Sequence, residues 1–116
     1  MTNPRPITLD SDGFERLRVS IEHWERMATG SPHPGEYPSA RDCALCARWL
    51  FDDCGFRADR CPVYQATGRR ACERSPYLAA FHAAEDFGLR SAQFIRAAKT
   101  ELTFLRDLLA RAKEKP

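Results

Sequence analysis

The fold of this 116-residue chain is decided by residues 91–113, SAQFIRAAKTELTFLRDLLARAK. Apolar side chains recur there every three or four residues, which is the spacing of one helix face. They are Ile95, Ala98, Leu102, Leu105, Leu109 and Ala112, joined at the edges by Phe94, Ala97, Phe104 and Leu108. Because this apolar face covers roughly half of the helix surface, it must contact more than one other element. We therefore predict a C-terminal helix that packs on an N-terminal helix along one edge and on the cysteine-containing segment, residues 41–75, along the other.

A second helix is predicted over residues 11–28. Asp12 and Glu15 have the spacing of a capping box, which places the start of the helix near Ser11 or Asp12. Its apolar stripe consists of Phe14, Leu17, Ile21, Trp24 and Ala28. This stripe is only about 80° wide and therefore suits a single partner helix. We expect the N-terminal and C-terminal helices to pair antiparallel.

The whole chain is predicted to form one all-α domain, residues 1–116, with an embedded zinc module. Its parts are an extended arm (1–10), the first helix (11–28), a proline-rich loop (29–40), a cysteine segment (41–75) and two further helices (76–113). The first of these two helices is expected to start from an N-cap at Ser75, followed by Pro76, and to end before Gly88. The pattern indicates no β-strand.

All five cysteines lie in the cysteine segment, spaced Cys43-x2-Cys46-x7-Cys54-x6-Cys61-x10-Cys72. The N-terminus lacks the apolar stretch of a secretory signal, and no apolar run is long enough to cross a membrane, so we expect a cytoplasmic protein. In a reducing compartment, clustered cysteines bind metal more often than they form disulfides. The Cys43-x2-Cys46 spacing lets two thiolates of one tight turn face the same ion. We therefore predict one zinc ion held by four thiolates.

Three cysteines compete for the second pair of ligand positions. We prefer Cys61, because Pro62 would stiffen the turn that leaves it, and Cys72, which lies in a polar stretch able to fold back. The predicted zinc ligands are then Cys43, Cys46, Cys61 and Cys72, and Cys54 is the alternative ligand. The spacing also fits an iron–sulfur cluster, a redox-active pair or buried free cysteines. Zinc is the preferred interpretation.

Several short motifs of this chain resemble the motifs of one known protein family. They are His23-Trp24, Asp42-Cys43-Ala44-Leu45-Cys46, Cys61-Pro62-Val63, Thr67-Gly68 and Cys72-x-x-Ser75-Pro76-Tyr77. Over about residues 20–110 the chain resembles a family of small, uncharacterised, cysteine-rich proteins of tailed phages and prophages. That family usually has a second tight Cys-x-x-Cys before its Cys-Pro, which this chain lacks, so the role of Cys54 stays open. The resemblance implies a zinc-dependent fold and a phage-like setting, and it implies no activity.

Among residues outside the cysteine segment, His23 and Trp24 stand out. Trp24 lies on the apolar stripe of the first helix, so we expect it in the core. His23 could donate a hydrogen bond to a zinc thiolate as an outer partner of the metal site, or cap a loop carbonyl. His82 is expected to be a surface histidine paired with nearby acidic residues, and His33 is the weakest ligand candidate.

The sequence motifs and the net charge indicate which classes of function to expect for this chain. The chain has no glycine-rich phosphate loop, H-E-x-x-H motif or Ser–His–Asp pattern, so we do not expect an enzyme. The formal net charge is +2, and a four-thiolate zinc site subtracts about two charges. A nearly neutral protein is poorly suited to hold a polyanion. The leading interpretation is a zinc-stabilised protein-interaction module, such as a phage-borne modulator of a host protein. The alternative is a nucleic-acid-binding zinc protein that uses Arg69, Arg70 and Arg74.

Overall fold

The computed structural model describes residues 7–38, 65 and 76–114. The elements are strand β1 (Ile7–Leu9), helix α1 (Ser11–Ala28), helix α2 (Tyr77–Phe87), helix α3 (Ala92–Arg111) and strand β2 (Ala112–Glu114). The described part is mostly helical, which confirms the predicted helical class. The cysteine segment lies outside the described residues, apart from Gln65.

Helix α1 begins where the sequence indicated, but its cap is a different residue. Asp10 has an extended backbone, and its side chain accepts a hydrogen bond from the backbone N–H of Gly13 at 2.7 Å. A Cβ at Gly13 would lie 3.1 Å from Asp10 Oδ1, so a glycine suits this tight first turn. Asp12, predicted to take part in the cap, instead forms an ion pair with Arg16 at 3.1 Å. One acidic residue therefore caps the helix and the other stabilises its first turns.

Helices α1 and α3 run antiparallel, as predicted. Strand β1, which precedes α1, pairs with β2, which directly follows α3. At the opposite end of the pair, Ile95 near the start of α3 lies beside Gly30, just beyond the end of α1. Between these ends, Arg106 Nη2 lies 3.4 Å from Glu25 Oε2. The chain thus brings its two terminal helices together along their lengths.

The core lies between these two helices and α2. Its buried apolar residues are Ile7, Leu9, Leu17, Ile21, Trp24, Met27, Ala28, Ala80, Ala84, Phe94, Ala98, Leu102, Leu105 and Leu108. On the predicted stripes, Phe14, Ile95, Leu109 and Ala112 are only partly buried. They form the edges of the apolar faces. Helix α2 buries Ala80 and Ala84, so small side chains let it approach the core closely.

The prediction that the chain has no strand is wrong. The pair β1–β2 is parallel, with Ile7 opposite Ala112, Thr8 opposite Lys113 and Leu9 opposite Glu114. Ile7 and Leu9 point into the core while Thr8 is exposed. The arm predicted over residues 1–10 therefore contains a strand, and the C-terminal helix ends at Arg111 rather than Lys113, because Ala112 has an extended backbone that leads into β2. Three-residue strands are too short to show a recognisable alternation.

The end of α2 and the start of α3 agree with the sequence signals, whereas α2 starts at Tyr77, with Pro76 in the cap position rather than as its first residue. Helix α2 ends at Phe87, and Gly88 has a φ of +91°, a conformation that glycine adopts without strain. Ser91 caps α3 by accepting a hydrogen bond from the backbone N–H of Phe94 at 3.1 Å. The predicted cap at Ser75 lies outside the described residues.

Candidate functional site

The candidate site is a polar cluster formed by His23 and Arg26 on α1 and Glu36 in the loop that follows. Residues three apart on a helix share a face, so His23 and Arg26 point in the same direction. The loop turns back onto that face because the N–H of Ser31 donates to the carbonyl of Arg26 at 2.9 Å. A turn closed by the N–H of Glu36 and the carbonyl of His33, at 3.0 Å, then aims the Glu36 side chain at the helix.

Four donors surround the Glu36 carboxylate. Oε1 accepts from Arg26 Nε at 3.0 Å and from the backbone N–H of His33 at 2.8 Å. Oε2 accepts from Arg26 Nη2 at 2.7 Å and lies 2.5 Å from Nδ1 of His23. The side chains of His23 and Glu36 are only 4% and 9% exposed. The carboxylate therefore fastens the proline-rich loop to α1 through a shielded network.

The electrostatics of this cluster favour an ionised Glu36. Burial alone would raise the pKa of Glu36, but hydrogen bonds from Arg26, the His33 N–H and His23 together lower it to about 2. The reciprocal hydrogen bond to Glu36 raises the pKa of Arg26. Glu36 and Arg26 are therefore a carboxylate and a guanidinium throughout the physiological pH range.

The low pKa of Glu36 predicts a pH-dependent contribution to stability. A carboxyl whose pKa falls from 4.5 to about 2 on folding contributes about 3 kcal/mol above its unfolded pKa, and this is lost as pH falls toward the folded pKa. We expect Glu36→Gln to reduce the free energy of unfolding at pH 7. The difference from wild type should shrink below about pH 4.5 and vanish only below about pH 2, where the folded-state carboxyl is protonated. Denaturant titrations at several pH values measure it.

The matched control for this prediction is Glu22→Gln, which changes an exposed carboxylate on α1. Its effect on the free energy of unfolding should stay within about 0.5 kcal/mol at every pH. A Glu36→Gln difference that does not change between pH 7 and pH 3 would show that the network does not stabilise the ionised carboxylate.

An aromatic cluster lies beside His23. The His23 and Trp24 rings are in edge contact, with centroids 5.3 Å apart, and Trp24 meets Tyr77 edge-on at 6.3 Å. Phe81 contacts both Tyr77, at 6.1 Å, and Tyr37, at 6.3 Å. Tyr37 and Tyr77 precede and follow the cysteine segment in the sequence. The residues that precede and follow the cysteine segment therefore lie close together, beside Phe81 of α2.

Gln65 is the residue of the cysteine segment that the structure describes. Its carboxamide accepts a hydrogen bond from the Thr8 N–H at 2.8 Å and donates one to the Thr8 carbonyl at 3.1 Å. Both backbone groups of the central β1 residue are thus satisfied by one side chain. Gln65 thus connects the cysteine segment to strand β1.

The structure tests some of the predicted site residues. Trp24 is 3% exposed, which confirms its place in the core. His23 bonds to a carboxylate, a partner that the sequence did not suggest. His82 is exposed, as expected of a surface histidine, and His33 contributes its backbone N–H to Glu36. Glu36 was missed, although it is the single acidic residue between Glu25 and Asp42 and so the natural partner for Arg26.

The predicted ligands and arginines lie outside the described residues, so these assignments stay predictions. They are Cys43, Cys46, Cys54, Cys61, Cys72, Arg69, Arg70 and Arg74. Within residues 7–38 and 76–114, no three histidine, cysteine or acidic side chains come together as a metal-binding group.

Comparison with known proteins adds no functional assignment. The chain matches no protein-family model, no curated protein and no solved structure. Among the helices described, none is both long and apolar enough to span a membrane.

Proposed function

We propose that the protein is a zinc-stabilised protein-interaction module that acts in the cytoplasm. The cysteine segment holds one zinc ion through Cys43 and Cys46, and the preferred further ligands are Cys61 and Cys72, with Cys54 as the alternative. Reduced thiolates of this kind suit a reducing compartment. By its motifs the chain resembles small phage and prophage proteins, so the setting we propose is phage-borne modulation of a host protein.

The observation that carries this proposal is that the residues before and after the cysteine segment meet in the aromatic cluster. Tyr37 before the segment and Tyr77 after it both contact Phe81, and Gln65 within it reaches Thr8. The residues that flank the segment thus lie close together, and Gln65 within it bonds to strand β1. Because loop closure is entropically costly, this prior proximity of the ends favours metal binding.

Binding to a protein is favoured over catalysis and over nucleic-acid binding. The sequence supplies no catalytic motif, and zinc with four thiolates leaves the protein close to neutral. Helix α2 exposes two large apolar side chains, Leu78 at 38% and Phe87 at 57%. Exposed apolar side chains of this size suit contact with another protein.

The test of this function is capture of a partner by the tagged, zinc-loaded full chain from its native cytoplasm. A partner bound through apolar contacts should remain bound when the salt concentration is raised, since screening weakens mainly charge contacts. Binding should be lost when a chelator removes the zinc. A partner retained equally by the metal-free chain would contradict the role of zinc in the interaction.

The alternative function makes the opposite prediction about salt. If Arg69, Arg70 and Arg74 contact phosphates, the log of the affinity should fall with log salt at a slope near roughly −3. We expect instead that duplex DNA binds no more tightly than about 10⁻⁴–10⁻⁶ M at physiological salt, the range of non-specific contact. Fluorescence anisotropy with a labelled duplex measures this. A nanomolar affinity that is lost when all three arginines become alanine would make nucleic-acid binding the function.

A further inference from the structure

A groove of about 380 Å³ lies between the last turns of α1 and the middle of α3. The residues that line it are Glu25, Ala28, Thr29, Lys99, Leu102, Thr103 and Arg106. Ala28 and Leu102 are only 4% and 7% exposed and belong to the core, so they form the floor of the groove. Because the alanine side chain is small, the floor leaves room for an apolar side chain from outside.

The rim of the groove offers hydrogen-bond donors to an incoming group. The hydroxyls of Thr29 and Thr103 donate to carbonyls of their own helices, at 2.9 Å and 3.0 Å. Glu25, the acidic residue of the lining, lies 3.4 Å from Arg106. Lys99 is exposed and forms no ion pair with any residue that the structure describes. A group that binds at this rim must therefore accept hydrogen bonds, and a negative charge suits it best.

Positive charge continues along α3 beside the groove. Arg96 is exposed and lies three residues before Lys99, so the two share a helix face. Lys99 and Arg106 are seven residues apart, which is about 10 Å along the helix. The acidic residues of α3 do not offset these charges, because Glu101 is buried and Asp107 forms an ion pair within the helix. This edge of α3 is therefore complementary to an acidic partner.

An acidic protein segment fits this surface better than phosphate groups do. A nucleic-acid backbone has no aliphatic side chain to fill the groove, and Glu25 would repel its phosphates. Anionic lipids are recognised by clusters of about 4–8 lysines and arginines, whereas three line or adjoin this groove. A protein segment can supply an apolar side chain and carboxylates together.

We propose that this groove binds an acidic segment of a partner protein. An apolar side chain of the segment covers Ala28 and Leu102, and carboxylates on either side of it contact Lys99 and Arg106. The inference rests on the proposed protein-binding function and gives the surface and the chemistry of the partner. Salt screens the carboxylate contacts but not the apolar one, so a higher salt concentration should weaken binding without abolishing it.

The probe for this inference is a random peptide library displayed on yeast and selected against the full wild-type chain. We expect the enriched peptides to carry an apolar residue between two acidic ones. In a ¹⁵N–¹H correlation spectrum of the wild-type protein, a synthetic peptide of the most enriched sequence should shift the amide signals of Ala28, Lys99 and Thr103. Enrichment of neutral or basic peptides, or shifts confined to residues outside the groove, would overturn the proposal.

Two variants with matched controls test charge and space separately. Lys99→Glu should weaken peptide binding by at least about 10-fold, whereas Arg90→Glu makes the same charge change outside the groove and should have little effect. Thr103→Phe places a ring over the groove without changing its charge and should weaken binding to a similar extent. Its control is Thr100→Phe, at an exposed position of α3 that does not line the groove. Fluorescence anisotropy with the labelled peptide measures all four affinities.

The outcomes distinguish this inference from the proposed function. A native partner captured equally well by the wild type and by Thr103→Phe would overturn the groove as the binding surface and leave the protein-binding function standing. A wild-type chain that captures no partner and enriches no acidic peptide would overturn both. Duplex DNA that displaces the peptide from the groove at physiological salt would assign the surface to phosphates and overturn the proposal. Because the peptide selection and the spectra use the wild type, a variant that fails to fold still leaves the inference tested.

Discussion

Cys43→Ser and Cys46→Ser are each expected to abolish tight zinc binding and to lower the thermal midpoint sharply. A serine hydroxyl stays protonated at neutral pH and is a poor zinc ligand, so each variant leaves an incomplete set of four. In small zinc modules the binding free energy, about 10–16 kcal/mol, is largely folding free energy. Losing one of four ligands should therefore unfold much of the cysteine segment. Metal analysis of the purified variants and thermal unfolding followed by circular dichroism measure the two effects.

The matched control is Cys54→Ser, which should keep the zinc ion and change the midpoint little. Cys61→Ser and Cys72→Ser, which remove the other two predicted ligands, should each lose the zinc ion. Loss of zinc in Cys54→Ser, with retention in Cys61→Ser or Cys72→Ser, would show that the ligand set chosen from spacing is wrong.

Trp24→Ala and Leu102→Ala are each expected to lower the free energy of unfolding by about 2–5 kcal/mol, the range for large-to-small substitutions in a core. The two side chains are 3% and 7% exposed and lie on the facing helices α1 and α3. Trp24 also contacts the rings of His23 and Tyr77, so its removal weakens the aromatic cluster. Urea titrations of the zinc-loaded proteins provide the measurement.

Val19→Ala serves as the comparison for these core variants, because Val19 lies on α1 and is 41% exposed. Its effect should stay within about 0.5 kcal/mol. Losses below about 1 kcal/mol for both Trp24→Ala and Leu102→Ala would mean that the stripes of α1 and α3 do not form the core.

The helical part of the fold could be predicted because its signals are local and repeated. The apolar stripe of α1 ends at Ala28 in both the sequence pattern and the structure. Gly88 and Ser91 mark the end of α2 and the start of α3, as glycine and serine do at helix ends. The antiparallel pairing followed from the narrow stripe of α1, which needed one partner of similar length.

Other features could not be predicted because they depend on residues far apart in the chain. Strands β1 and β2 are three residues long and lie at opposite ends of the chain, so nothing local marks their pairing. The contact between Gln65 and Thr8 joins residues 57 positions apart. His23 and Glu36 meet only because the loop turns back after α1, and a lone glutamate in a loop does not reveal such a turn.

The central claim, that one zinc ion organises the cysteine segment, is tested most directly by native mass spectrometry of the wild-type chain. The protein should be expressed in cells supplied with zinc and kept under reducing conditions, because oxidised cysteines cannot bind the metal. We predict a folded species with one zinc ion per chain. A folded, metal-free monomer, or a chain that carries iron and shows visible charge-transfer absorbance, would contradict it.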